Sequence, residues 1–232
     1  MHLCSKTNNM NFRDKELIIF DFDGTLIDSN PDLTQALNVM LANYNLKPLT
    51  DEEASMYIGN GSIILVQRTL KDRFETDTIS EELFKEAFDI YFKAYGEYVC
   101  DKTYMYEGVA EALQYLDGKG YDMAICTNKP YVFIEPILDA LNIKQYFKLW
   151  VGADSLPKQK PDALPLLHLA KELGREVHKT IMVGDSKNDI LAAQNAKMDC
   201  IGVSYGYNYN EDIADYNPTK VVDSFAELHV LF

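Results

Sequence analysis

Two rhythms of hydrophobic and polar positions run along this chain. The first is a short apolar run that stops in polar residues. Leu17 to Phe20 reads as a buried strand, and 17-LIIFDFDGTLIDS-29 puts Asp21 and Asp23 at its mouth. The shape recurs in 121-YDMAICTNKP-130, 149-LWVGAD-154, 180-TIMVGDS-186 and 200-CIGVS-204, with a short Val221–Val222 strand near the end. The second rhythm has helical spacing. Leu33, Leu37, Met40 and Tyr44 share one face, Ile63 to Leu70 forms another helix, and Leu83, Phe84, Ala87, Phe88, Tyr91, Phe92 and Tyr95 predict a long amphipathic one. Asn30 is a candidate cap with Pro31 in the first turn. Thr50 and Glu53 form a capping-box pattern, and the glycines of 58-IGNG-61 mark a tight loop. Further helices are predicted over Glu107–Leu116, Tyr131–Leu141, 162-DALPLLHLAKEL-173 and Asp189–Ala196, and from Ser224.

Strands alternating with helices predict an α/β fold with a doubly wound parallel sheet, a Rossmann-like core. The stretch 30–100 interrupts it with helices alone, which predicts an all-helical cap domain inserted into a core made of 15–29 and 101–232. Residues 1–14, with Asn8, Asn9 and Asn11, read as a loose N-terminal extension.

Composition narrows the classes of partner. The 232 residues are 47% hydrophobic, enough for a substantial core, and the net charge of −14 argues against nucleic acid and anionic membranes. No apolar run reaches membrane-spanning length and no secretory leader is expected. Cys4, Cys100, Cys126 and Cys200 lack zinc-like spacing and read as free thiols of a reducing cytoplasm. A monomer or homodimer is expected. An acidic chain that handles an anion must concentrate positive charge or a metal locally.

Ligands of an open parallel sheet bind at the carboxyl ends of its strands. That edge should gather Asp21, Asp23, Thr127, Asn128 and Asp185, with Lys160 in the following loop 157-PKQKPD-162. Three carboxylates suit a hard cation such as Mg²⁺. A lysine and a hydroxyl suit a phosphoryl group. Together they suggest phosphoryl transfer on a small phosphorylated metabolite, where positioning and charge neutralisation dominate. A carboxylate can act as nucleophile, and a second one two residues on can protonate the leaving alkoxide and then activate water. Asp28 reads as a cap or hinge residue. Tyr205 and Tyr207 read equally as packing or as site rim. Gly59, Asn60 and Gly61 could approach a substrate from the cap, and Arg68 is a candidate partner for a substrate carboxylate, though such arginines more often make surface ion pairs.

Four motifs in order, 21-DFDGTLIDS-29, 126-CTNKP-130, 160-KP-161 and 184-GDSKND-189, resemble those of the haloacid dehalogenase-like hydrolases. Within that superfamily, 58-IGNG-61, 127-TNKP-130, 184-GDSKNDI-190 and 202-GVSYGYNYNE-211 are similar to the phosphoglycolate phosphatases. The resemblance implies hydrolysis of 2-phosphoglycolate through an aspartyl-phosphate. It implies Asp21 as nucleophile and Mg²⁺ ligand, and Asp23 as acid/base with its carbonyl on the metal. Asp185 would complete the ligands with Asp189 behind it. Thr127, Gly24 and Asn128 would lie at the phosphoryl group, and Lys160 would neutralise it. Ala163 stands where a proline is more usual. The alternatives are a phosphatase of another small ester, a nucleotide or pyrophosphate, or a sugar-phosphate mutase. A dehalogenase is disfavoured because Asp23 is present. A phospho-accepting signalling module is disfavoured because it needs neither Asp23 nor a cap.

Overall fold

The structure, a computed structural model, describes residues 11–209 and 211–232. Cys4, Asn8 and Asn9 lie outside the described residues. The elements run β1 Leu17–Phe20, β2 Ile27–Asp28, α1 Asn30–Ala42, α2 Asp51–Ser55, α3 Ser62–Arg73, α4 Glu81–Glu97, β3 Tyr104–Met105, α5 Val109–Lys119 and β4 Asp122–Cys126. They continue with α6 Ile134–Ala140, β5 Leu149–Val151, α7 Leu164–Glu172, β6 Thr180–Gly184, α8 Lys187–Ala196, β7 Asp199–Val203, β8 Lys220–Val222 and α9 Leu228–Leu231.

Six parallel strands form one sheet in the order β5-β4-β1-β6-β7-β8. β1 is central: Phe20 pairs with Ile125 of β4 on one side and Val183 of β6 on the other. The chain leaves β1 to one side and later crosses back to the other, so the switch point lies at its carboxyl end. The apolar runs of β1, β4 and β6 are buried because both sheet faces are covered. Ile18, Phe20, Ile125 and Val183 pack toward α5, α6 and α9. Leu17, Ile19, Ala124 and Met182 pack toward α7 and α8.

α1 to α4 form the cap, around Leu33, Leu37, Met40, Leu65, Leu70, Tyr91 and Tyr95. Its apolar cluster continues into the core at Phe133, whose ring lies 4.7 Å from Phe92 and 4.8 Å from Tyr95. The capping box of Thr50 and Glu53 is formed at α2. Where the sequence suggests Asn30 as a cap, the helix already starts at Asn30, and its N–H donates to Asp28 Oδ1 at 3.0 Å. α5 begins at Val109 rather than Glu107 because left-handed Gly108 precedes it. α8 begins at Lys187 because Ser186 caps it, with Asp189 as the third residue of a capping box.

Two features escape periodicity. The chain enters and leaves the cap through β2 and β3, which pair antiparallel at Ile27–Met105 and Asp28–Tyr104. Buried Asp32 then ties α1 to the returning chain, accepting from Lys102 N (3.0 Å), Thr103 N (2.8 Å) and Thr103 Oγ1 (2.7 Å). The expected loose extension is anchored at Phe12, which is buried against Phe232 and donates its N–H to Leu231 O at 2.7 Å. Among the described residues no helix is long and apolar enough to cross a membrane. Cys100, Cys126 and Cys200 are free thiols.

Candidate active site

The strand ends bring Asp21, Asp23, Thr127, Asn128 and Asp185 to one edge, and the loop before α7 brings Lys160 beneath them. Lys160 Nζ lies 2.8 Å from Asp21 Oδ1 and 2.5 Å from Asp189 Oδ1. Asp21 also accepts from the Phe22 N–H at 2.7 Å. Asp189 receives the Ser186 N–H (3.0 Å) and hydroxyl (2.7 Å) on its other oxygen. It therefore caps α8 and braces Lys160 with the same carboxylate.

Asp185 accepts from Thr25 Oγ1 at 2.8 Å and from the Tyr207 N–H at 2.6 Å. Three glycines let the chain press on these acids. A Cβ at Gly24 would lie 2.3 Å from Asp185 Oδ2, at Gly206 2.3 Å from Asp185 Cβ, and at Gly184 2.4 Å from Asp189 Cβ. Gly24 is doubly required, since its φ of +89° disfavours a side chain.

Burial dominates the electrostatics. It pushes Asp21 well above the ordinary carboxylate range, helped by the Asp189 charge and opposed by Lys160. Burial, then Asp189, pushes Asp185 up to about 7. Burial works against the Lys160 ammonium, but the Asp189 and Asp21 charges outweigh it and hold that amine above its usual value. Burial raises the Cys126 thiol to about 12, so it is no nucleophile.

Asp21, Asp185 and Asp189 each offer an oxygen, all within 4.8 Å of one another. Lys160 is the cation inside this group, so the cluster carries excess buried negative charge. A divalent, oxygen-seeking cation would offset that charge, and the donor set fits Mg²⁺. Asp23 stands apart. Its Oδ1 accepts from Lys129 Nζ at 2.8 Å and from Ser29 Oγ at 2.5 Å.

Asp21, Asp23, Thr127, Asn128 and Lys129 form the core wall of a cavity of about 40 Å³ under the cap. Leu33, Ile58, Leu65, Ser62, Gly59 and Gly61 form the cap wall. Gly61 comes so close to Asn128 that a Cβ would lie 2.8 Å from its carbonyl oxygen. Thr127 Oγ1 accepts the Lys129 N–H at 3.1 Å, which leaves its own O–H to donate. Asn128 Nδ2 joins core to cap, donating to Lys160 O (3.1 Å) and Gly59 O (3.4 Å).

Arg68 does not line the cavity. It donates to Tyr57 O (3.1 Å) and Asn60 Oδ1 (3.0 Å), and its guanidinium lies 5.2 Å from the Tyr209 ring centroid. Asn60 is taken up by the same contacts, with Tyr209 Oη on its Oδ1 at 2.5 Å. Tyr205 rests its hydroxyl on Thr25 O at 2.8 Å, and Tyr207 donates to Asp28 while accepting the Asn30 N–H at 3.1 Å. Both tyrosines are packing residues behind the site. Sequence reasoning missed Lys129, Thr25 and Gly206. All three stand within stretches singled out for the resemblance, 126–130, 21–29 and 202–211, which give none of them a role.

A doubly wound sheet with buried carboxylates and a lysine at its carboxyl edge, under a helical lid, is the architecture of a capped hydrolase. The profile of the haloacid dehalogenase-like hydrolases matches residues 18–203, and the chain belongs to that family. A phosphoglycolate phosphatase of Psychrobacter arcticus is 45% identical over 93% of this chain and 94% of its own length. One from Colwellia psychrerythraea is 41% identical over 94% and 97%. A crystal structure described as a predicted phosphoglycolate phosphatase from Haemophilus somnus superposes with a TM-score of 0.88 at 37% identity, covering 93% of this chain and 96% of that one. The resemblance read from the four motifs is borne out, and the chain is an enzyme.

Proposed function

We propose that this hydrolase cleaves 2-phosphoglycolate to glycolate and phosphate through an aspartyl-phosphate on Asp21. The observation that carries the reading is the cavity: about 40 Å³, with carboxylates, a threonine and a lysine below and Leu33, Ile58 and Leu65 above. Such a wall offers a sugar or nucleobase little to hydrogen-bond beyond the Ser62 hydroxyl and the main chain at Gly59 and Gly61. It suits a leaving group of a few atoms. The likeness to enzymes named phosphoglycolate phosphatase supports the same substrate.

The chemistry follows from the chain's own groups. Asp21 attacks phosphorus and the ester P–O bond breaks, while Asp23 delivers its proton to the departing glycolate oxygen. Asp23 then takes a proton from water, which attacks phosphorus, expels inorganic phosphate and restores Asp21. Lys160, 2.8 Å from Asp21, opposes the burial that favours the protonated form of the nucleophile. The free O–H of Thr127 holds a phosphoryl oxygen, whereas the Gly24 N–H, expected there from the resemblance, is given to Ile27 O at 2.8 Å. Asp21 and Asp185 would hold Mg²⁺, with Asp189 braced behind them, and the bound ion supplies charge neutralisation at the phosphoryl group.

The test is phosphate release from 2-phosphoglycolate, glucose phosphates, nucleoside monophosphates and pyrophosphate at fixed Mg²⁺, with Asp21→Asn as control. 2-Phosphoglycolate is expected to lead in kcat/KM by about tenfold or more. A flat panel removes the substrate assignment, and an active Asp21→Asn removes the mechanism.

A further inference from the structure

A substrate with a carboxylate beside its phosphate needs a second positive group, distinct from the one at Asp21. The geometry points to Lys129 as the group that recognises this carboxylate, an inference that rests on the phosphatase reading above. Among the described residues lining the cavity, Lys129 is the one cation. Arg68 is held away by Tyr57, Asn60 and Tyr209, and the cap wall supplies no charge of its own.

Lys129 is held rigidly. Its side chain is 3% exposed, its N–H is bound to Thr127, and its carbonyl accepts from Ala153 N at 2.9 Å. The ammonium has three N–H donors. One goes to Asp23 Oδ1 at 2.8 Å, and one face lies 4.7 Å from the centroid of Tyr95, which descends from α4. Capacity for a further acceptor remains at the cavity. A buried ion pair that serves stability alone is commonly no better than an apolar pair of the same shape. An ammonium buried at a substrate cavity is explained if the substrate supplies its second anion. α3 reinforces this preference, because Gly61 and Ser62 at its N-terminus line the same cavity and no side chain caps it.

Position also fixes spacing. Asp23 must reach the leaving oxygen to within about 3 Å, and Lys129 touches that same Asp23 carboxylate. An anion bound to Lys129 therefore lies on the leaving-group side of the site, close to the ester oxygen. The class this selects is a phosphate ester whose leaving group carries a carboxylate near that oxygen, as in a 2-hydroxy acid.

Binding separates this role from any effect through Asp23. In an Asp23→Asn background, the dissociation constants of 2-phosphoglycolate and ethyl phosphate are compared by calorimetry, with and without Lys129→Met. Ethyl phosphate replaces the carboxylate with a methyl group. The expected result is a preference of about ten- to a hundredfold for 2-phosphoglycolate that Lys129→Met abolishes. Lys129→Gln reads the same ratio if the methionine variant does not fold. A preference that survives both substitutions overturns the inference while leaving the substrate reading intact. No preference before Lys129 is changed, together with a flat turnover panel, overturns both.

Discussion

Gly206 lies in the loop after β7, and no side chain fits there. A Cβ would stand 2.3 Å from Asp185 Cβ, 2.4 Å from Asp185 Oδ2 and 2.4 Å from the Gly24 carbonyl oxygen, all inside the 3.0 Å that real Cβ atoms essentially never breach. None of these neighbours yields easily. The carbonyl is backbone, and Asp185 is fixed by Thr25 and by the Tyr207 N–H. Gly206→Ala must therefore move Asp185 or the tyrosine loop. Overpacking of this kind costs about 1–3 kcal/mol. For a domain of this size that is a Tm loss of about 2–12 °C. A displacement of about 1 Å at a reacting centre costs on the order of a hundredfold in rate. kcat/KM and thermal melts measure the two effects together. Gly118→Ala is the comparator, because nothing lies within 4 Å of its added Cβ in α5, and it should gain about 0.5–1 kcal/mol with activity unchanged. If Gly206→Ala melts and turns over like the parent, the loop is free to move and does not position Asp185.

Thr50→Ala removes the hydroxyl half of the α2 capping box, which accepts the Glu53 N–H, and should cost about 1 kcal/mol, read as a lowered Tm with kcat/KM intact. Asp32→Ala strands two buried donors at Thr103 and should destabilise the cap junction by about 2–3 kcal/mol, measured by urea unfolding. In metal-free protein, folding raises Asp185 from 3.8 to about 7, so the folded state binds its proton more tightly than the unfolded one. Stability should then fall as pH rises from about 4 to 7, by up to about 4 kcal/mol. Mg²⁺ should relieve this penalty, so the Tm gain on adding it is larger at pH 8 than at pH 5.5, and an equal gain at both contradicts the assignment.

The acidic strand ends were legible because each sits where an apolar run stops, and a parallel sheet brings such ends together whatever their distance in sequence. Asp21 and Asp185 are 164 positions apart by number, yet β1 and β6 are neighbours. The helical block was legible for the same reason of period. The β2–β3 pair was not, since two-residue strands have no period to read. Nor was the choice between Arg68 and Lys129. Both are cations beside a motif, and which one faces the cavity depends on side-chain direction. Asn60 and Tyr209 turn one away, while Asp23 and Tyr95 hold the other in.

The loop 205–209 was hardest to read, and its geometry explains why its residues matter without bearing chemistry. The Tyr207 N–H holds Asp185, while its hydroxyl meets Asp28 and the first amide of α1. Asp28 itself accepts from the Tyr104 hydroxyl at 2.8 Å on the chain returning from the cap. One residue thus spans from the buried acid cluster to both strands of the cap junction. Its aromatic ring reads in sequence as packing, which it is, since it belongs to the cap's apolar cluster. What the sequence cannot express is that the same side chain and its own backbone amide face opposite partners. Tyr207→Phe keeps the ring and the amide and deletes only the hydroxyl's bonds. It should therefore leave Asp185 in place, and any loss of activity should come with a lowered Tm, as loosening of the cap junction requires. Lost activity at an unchanged Tm would mean that the hydroxyl acts on the chemistry itself.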